Sequence, residues 1–210
     1  LHTAKINEFV QFQFELQELV LKEEYSAALD IAESFQKING WSFWILEAIF
    51  YLTNKAHGSE AARTLAKKIK DQSDKRIINF AATVFCERVD DRYSIDAFAS
   101  KWSDIIPSHL KKPYLQSYYL FHVLGVSDLG DSLGSVICQD FCNSIYDCYN
   151  TFVEAIFSLV CSNPSAISAS IRESVSLIVS GGITDFRLKK IQFLFDGEPL
   201  CSDINRDSLT

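Results

Sequence analysis

Apolar residues recur at helical spacing along most of this chain. Phe9, Phe12 and Leu16 follow each other at steps of three and four positions, which places all three on one face of a helix. The same periodicity returns between short connections of a few residues, as antiparallel helical hairpins require. The predicted helices span residues 5–22, 25–39, 42–56, 59–72, 76–89, 94–106, 114–124, 131–146, 148–161 and 165–179. The pattern therefore predicts an all-α fold.

Several residues mark where these helices begin and end. Asn39-Gly40 is a helix-stop signal, because glycine readily adopts the backbone conformation that follows many helices. Ser94 and Asp147 can cap helix N-termini, and Pro113 stands at a helix start, where its missing N–H costs little. The helix 42–56 is apolar on every face, so we expect other helices to cover it on several sides.

Small residues repeat at a regular interval in the second helix of successive hairpins. Ala32 and Ala66 are 34 positions apart, and Ala66 and Ala99 are 33 positions apart. A small side chain at such a position lets two helices approach closely. In addition, the tetrapeptide beginning at Glu47 recurs at Glu154, 107 positions later, which is about three of these periods. The interval supports a repeated helical unit.

In this period and in the repeated small residues the chain resembles the tetratricopeptide repeat family. The resemblance is to a degenerate form, because the Trp…Leu-Gly…Tyr signature of the family's first helix is absent as a set. The resemblance implies a right-handed superhelix of about five antiparallel hairpins over residues 1–180. It also implies that the first helix of each hairpin lines a concave groove. On the helices 42–56, 76–89 and 114–124 the candidate groove residues are Glu47, Tyr51, Asn79, Thr83, Gln116 and Tyr119.

The pattern changes after Gly181-Gly182. Residues 181–210 are interpreted as a short irregular or hairpin C-terminal extension, or as a linker to a further domain. Within 183–200, Thr184-Asp185 favours a capped helix, whereas the alternation that ends at Asp196-Gly197 favours a β-hairpin. The chain also begins with Leu1 and contains no Met, so we expect it to be a fragment of a larger protein.

Composition and charge exclude some classes of protein. With 48% hydrophobic and 22% charged residues, the 210-residue chain has the composition of a globular protein and not of a disordered one. The net charge of −7 argues against nucleic acid as a partner, although the basic residues within 61–112 keep an RNA-binding helical repeat as a weaker alternative. No apolar run approaches the roughly 20 residues of a membrane span. Six cysteines, most of them within apolar helical patterns, indicate a reducing, cytoplasmic setting.

Few residues suggest chemistry. Cys138, Cys142 and Cys148 are interpreted as buried core thiols, with a metal site as the alternative. Glu47 and Glu154 lie in otherwise apolar helices, where burial would raise the pKa of an unpaired carboxyl group. His122 is interpreted as a packing or capping residue. We therefore expect no cofactor, no metal and no catalytic residue.

The sequence as a whole favours a non-catalytic protein–protein interaction module that binds a peptide or a partner helix in its groove. A helical accessory or regulatory domain of an enzyme, or the enzyme itself, is the alternative. An enzyme needs several polar groups that converge on one substrate atom, whereas the polar residues here are expected to be spread at repeat spacing. The pattern predicts neither the identity of the partner nor the oligomeric state.

Overall fold

The protein is all-α in its described part, as predicted. The computed structural model describes residues 2–73, 75–109, 111–125, 133–162 and 167–196, in which no strand occurs. The helices are α1 (Thr3–Leu21), α2 (Tyr25–Asn39), α3 (Phe43–His57), α4 (Ser59–Gln72), α5 (Arg76–Arg88), α6 (Ile95–His109), α7 (Pro113–Leu124), α8 (Leu133–Asn143), α9 (Ile145–Ser162), α10 (Ala169–Ser180) and α11 (Phe186–Asp196). None of these helices is both long and apolar enough to cross a bilayer.

Most of the predicted helix ends are confirmed. The helix α2 ends at Asn39 and is followed by Gly40, which has a φ of 81°. A residue with a side chain would adopt this φ only with strain. The Ser94 hydroxyl oxygen accepts the backbone N–H of Ala97 at 3.1 Å, and Pro113 is the first residue of α7. These ends are decided locally, which explains why a local pattern predicts them.

The prediction that Asp147 caps the start of its own helix is wrong. The helix α9 begins two residues earlier, at Ile145, and the Ser144 hydroxyl oxygen accepts the backbone N–H of Tyr146 at 3.2 Å. Asp147 therefore lies inside the first turn of α9. Its carboxylate is directed to the neighbouring helix α3, as described below.

The helix α3 lies at the centre of the molecule, in agreement with its apolar pattern. It packs against α2, α4, α5 and α9. One of its faces contributes Ile45, Ile49 and Leu52 to a hydrophobic cluster shared with α1, α2, α9, α10 and α11. Another face contributes Phe43, Leu46 and Phe50 to a second cluster, which it shares with α4, α5, α7, α8 and α9. Burial on several sides explains why the first ten residues of α3 include only one charged residue, Glu47.

Helices pack mainly against their neighbours in the chain, but α9 also returns to α1 and α3. The two ends of the described chain meet at Asn7. Its amide nitrogen donates to the carbonyl oxygen of Gly182, and its carbonyl oxygen accepts the backbone N–H of Thr184, each at 2.9 Å. These contacts hold α1 against the segment between α10 and α11.

The small residues of the repeat allow close helix packing. Ala28 and Ala32 of α2 are fully buried, Ala62 and Ala66 of α4 are nearly so, and Ala99 of α6 is half-buried. The interval found in the sequence therefore marks the buried faces of α2 and α4, where a larger side chain would meet the neighbouring helix.

Residues 186–196 form a helix, so the alternative of an irregular or hairpin extension is wrong for this stretch. The Asp185 carboxylate accepts the backbone N–H of Arg187 at 2.8 Å, which caps the start of α11. Leu188 and Ile191 are fully buried in the cluster that also contains residues of α1. Burial of these side chains against α9 and α10 favours the helix over the hairpin. Residues 197–210 lie outside the described part.

Candidate functional site

A polar cavity of about 250 Å³ lies between α3, α5, α7 and α9, and we call it the central cavity. Its wall combines acidic, basic and aromatic side chains. The lining residues are Phe43, Trp44, Glu47, Phe85, Arg88, Phe121, His122, Gly125, Asp147, Asn150, Thr151 and Glu154. Groups from four helices thus converge on one space.

A second space of about 360 Å³, the adjoining cleft, runs between α3 and α5. It is lined by Trp44, Glu47, Ala48, Tyr51, Phe85, Arg88 and Val89. Trp44, Glu47, Phe85 and Arg88 line both spaces, so the cleft borders directly on the central cavity. The cleft is mostly apolar, whereas the cavity is mostly polar.

An ion pair stands at the boundary between the two spaces. Arg88 Nη1 lies 2.6 Å from Glu47 Oε1, and each side chain is 44% exposed. Although solvent reaches Glu47, the surrounding protein raises the pKa of its carboxyl group, mainly through burial and further through repulsion by Glu154. The positive charges of Arg88 and, when protonated, His122 oppose this rise in pKa.

Asp147 caps the start of α3 from the neighbouring helix. Its carboxylate accepts the backbone N–H of Phe43 at 2.7 Å and that of Trp44 at 3.0 Å. The Ser42 hydroxyl oxygen accepts the next backbone N–H, that of Ile45, at 3.1 Å. The first three amides of α3, which have no partner inside the helix, are therefore all satisfied. Burial raises the pKa of Asp147 to about 6, although the two backbone hydrogen bonds act in the opposite direction.

A buried hydrogen-bond network supports the opposite wall. His122 Nε2 lies 2.9 Å from Asp140 Oδ1, and the Thr151 hydroxyl donates to Asp140 Oδ2 at 2.6 Å. Asp140 is fully buried, and the imidazole ring stacks on Phe43 with 4.6 Å between ring centroids. The packing role predicted for His122 is thus confirmed, but the ring also has a carboxylate partner and faces the cavity.

Asn150 connects the cavity to the first helix. Its amide nitrogen donates to Glu154 Oε1 at 2.6 Å, and its carbonyl oxygen accepts from Gln13 Nε2 at 3.2 Å. Glu154 therefore has an amide as its partner and not a cation. This leaves an acidic side chain at the cavity wall whose charge is not neutralised by an ion pair among the described residues.

Of the six predicted groove residues, Glu47 and Tyr51 line the adjoining cleft. Asn79 and Thr83 do not line either space, because the face of α5 turned toward α3 carries Phe85 and Arg88 instead. The Asn79 amide nitrogen donates to the carbonyl oxygen of Ser73 at 2.9 Å, and the Thr83 hydroxyl donates to the carbonyl oxygen of Asn79 at 2.9 Å.

Gln116 and Tyr119 of α7 also lie outside both spaces. Tyr119 packs edge-on against Phe80 at 4.7 Å between ring centroids, and burial raises the pKa of its phenol group. The Gln116 amide nitrogen lies 3.5 Å from the carbonyl oxygen of Pro107. The structure therefore does not bring the six residues together in either of these two spaces, and of the six only Glu47 and Tyr51 line the cleft.

The cysteines differ from the predicted core thiols. Cys138 and Cys142 are exposed, Cys148 is half-buried, and all three are free. Burial raises the pKa of the Cys148 thiol to about 11. Among the described residues no group of three or more histidine, cysteine, aspartate or glutamate side chains is placed to hold a metal ion.

The basic block of the sequence is separate from these spaces. Lys67, Lys68 and Lys70 are exposed near the C-terminal end of α4, and Lys75 and Arg76 are exposed at the start of α5. None of the five lines the central cavity or the adjoining cleft.

The expectation that polar residues are spread at repeat spacing is wrong for the central cavity. Sequence reasoning recognised Glu47 and Glu154 as acids in apolar helices, and the structure places both at this wall. It missed Asp140, although that residue also carries a carboxylate within an apolar helical pattern. The same signal was therefore present for the network that supports His122.

Comparisons of the chain with protein-family models, with curated proteins and with solved structures find no match. The site must therefore be interpreted from its own geometry.

Proposed function

We propose that this chain is a non-catalytic protein–protein interaction module of a larger protein, and that it binds a peptide or a partner helix along the adjoining cleft. The observation that carries this proposal is the cleft itself, which is open, mostly apolar and continuous with a polar cavity. An apolar surface beside a few fixed polar groups suits recognition of a protein segment.

Tyr51 is the side chain best placed to anchor such a segment. It lines the cleft and remains 38% exposed, whereas Phe43 and Phe50 of the same helix are buried. Tyrosine is enriched among the residues that dominate binding energy at interfaces. Trp44 extends the same aromatic surface to the cavity.

The finer architecture in this proposal is a degenerate tetratricopeptide-like superhelix in a reducing, cytoplasmic setting. The packing of successive helices and the buried alanines of α2 and α4 support the repeated hairpins. The return of α9 to α1 and α3 differs from an open stack, in which each repeat contacts only its neighbours.

The experiment that tests the function is a selection of peptides on the purified chain from a randomised display library. Selected peptides are then measured by fluorescence anisotropy against the wild type and Tyr51→Ala. Loss of an anchoring tyrosine is expected to weaken binding at least about 10-fold, which corresponds to about 1.4 kcal/mol.

Tyr93→Ala is the matched control. Tyr93 is 40% exposed and has Lys101 Nζ 5.6 Å from its ring centroid, much as Tyr51 has Lys55 Nζ at 5.8 Å. Tyr93 does not line the cleft. We expect this variant to bind like the wild type. Equal loss in both variants, no loss in either, or failure to select any peptide would each contradict the proposal.

The His122–Asp140 pair favours a second candidate, an enzyme that uses general acid–base catalysis. A carboxylate-oriented imidazole beside a cavity is a common arrangement for proton transfer. Thr151 carries the one hydroxyl among the residues that line the central cavity, and it donates to Asp140 and not to His122, so these lining residues offer the imidazole no nucleophile to activate. Turnover of a panel of ester, phosphate and glycoside substrates that is abolished by His122→Gln in a folded variant would favour this candidate.

A further inference from the structure

Two carboxylates of the central cavity, both open to solvent, each have one oxygen without a protein partner among the described residues. Glu47 accepts one hydrogen bond from Arg88 through Oε1, and Glu154 accepts one from Asn150 through Oε1. Among the described residues neither Oε2 atom has a hydrogen-bond partner. Both side chains line the same space, and their mutual repulsion contributes to the raised pKa of Glu47.

The charges around the cavity do not cancel. Three carboxyl groups line it, on Glu47, Asp147 and Glu154, against one permanent cation, Arg88. Arg88 is engaged by Glu47, and Asp147 is compensated by two backbone amides. The carboxylate of Glu154 is thus left beside Glu47 without a cation of its own, and a positively charged group between them would relieve the repulsion.

The walls and the size of the cavity restrict the ligand further. Trp44, which is half-buried, contributes aromatic surface to the same wall as the two glutamates, and aromatic faces attract cations that leave water. The volume of about 250 Å³ lies below the roughly 300–1,000 Å³ of sites for drug-sized molecules. A single extended side chain fits this space better than a free metabolite, and the adjoining cleft offers room for the backbone that carries it.

We propose that the central cavity accepts one basic side chain, an arginine or a lysine, of the segment that binds in the adjoining cleft. Glu154 and Glu47 pair with the cationic group, and Trp44 contacts its aliphatic stem. This inference rests on the proposed function, because the cation is delivered by a bound protein segment.

The first test uses single amino-acid probes and does not require a known partner. N-acetyl-L-argininamide and N-acetyl-L-lysinamide are titrated into ¹⁵N-labelled protein, with N-acetyl-L-citrullinamide as the neutral probe nearly identical in shape to the arginine derivative. The indole N–H signals of Trp41, Trp44 and Trp102 report on the site. We expect at least one cationic probe to shift the Trp44 signal with millimolar affinity, and the citrulline derivative to bind at least about 10-fold more weakly.

Glu154→Gln is the decisive variant, because glutamine keeps an oxygen for the Asn150 amide and removes only the charge. Binding of the cationic probe should weaken at least about fivefold. The matched control is Glu15→Gln, the same change at an exposed position of α1 that lines neither space. Equal binding of the charged and neutral probes, or unchanged binding to Glu154→Gln, would overturn the inference.

The selected peptides separate this inference from the proposed function. Peptides that depend on Tyr51 and also on Glu154, and that share a basic residue, support both. Peptides that depend on Tyr51 but carry no basic residue and bind Glu154→Gln like the wild type overturn the cation site and leave the interaction module intact. A cationic probe that binds at Trp44 while no peptide depends on Tyr51 supports the site and contradicts the module.

Discussion

Asp147 offers the sharpest test of the structure, because asparagine has nearly the same shape as aspartate but does not titrate. The carboxylate satisfies the first two backbone amides of α3, yet it is only 2% exposed, and burial raises its pKa from 3.8 to about 6. Between pH 4 and 6 the folded protein therefore holds a proton on Asp147 that the unfolded chain has released. The free energy of unfolding must then rise as the pH falls through this interval.

The magnitude follows from the shift in pKa. About two pKa units correspond to about 3 kcal/mol between the two protonation states, so the wild type should gain roughly 2–3 kcal/mol relative to Asp147→Asn between pH 7 and pH 4. At pH 7 the variant avoids the burial of a charge but keeps only one good acceptor for two amides. The two proteins carry the same other charged groups, so the difference between wild type and variant reports on the charge of Asp147, including its electrostatic coupling to His122 and Asp140.

The assay is urea denaturation followed by far-ultraviolet circular dichroism, at several pH values from 4 to 7.5. Because the isoelectric point is near 5.1, dilute protein is used to avoid association. Asp30→Asn, the same change at an exposed position of α2, is the control. A difference between wild type and Asp147→Asn that does not change with pH, or that changes in the opposite direction, would refute the burial of this carboxylate against α3.

Three further predictions concern other parts of the fold. Asp185→Ala should lower the free energy of unfolding, measured by urea denaturation, by about 2–4 kcal/mol. The substitution removes the cap of α11, and it also removes the acceptor of the buried Tyr149 hydroxyl, which lies 2.8 Å from the carboxylate in the wild type. Ala32→Leu should lower the free energy of unfolding by about 1–3 kcal/mol in the same assay, because a larger side chain overpacks a fully buried site. An unchanged free energy of unfolding would argue against the close approach of α2 to its neighbouring helices. Iodoacetamide at pH 8 should alkylate Cys148 more slowly than the exposed Cys138, because burial raises the pKa of the Cys148 thiol to about 11. Peptide mass spectrometry measures both rates, and faster alkylation of Cys148 would contradict the prediction.

Much of the secondary structure could be predicted because its causes are local. Side chains three and four positions apart share a helix face, and both the Ser94 cap and the proline at the first position of α7, Pro113, act within one turn. The covering of α3 on several sides also followed from its sequence, since an apolar surface all around a helix has to be buried. The segment 183–196 stayed ambiguous because its local pattern fits both a helix and a hairpin. Packing of Leu188 and Ile191 against the rest of the core favours the helix.

The sequence by itself determined the helices, most of their ends and the two acids, Glu47 and Glu154, that are out of place in apolar helices. Only the tertiary structure decided that these acids, 107 positions apart, line one cavity. It also decided that Asp147 caps α3 instead of its own helix, and that the face of α5 presented to the cleft carries Arg88 and not Asn79 or Thr83. The physical reason is that the rotation and register of one helix against another depend on the way in which large side chains, many of them distant in sequence, pack together. The residue pattern within one helix does not contain this information.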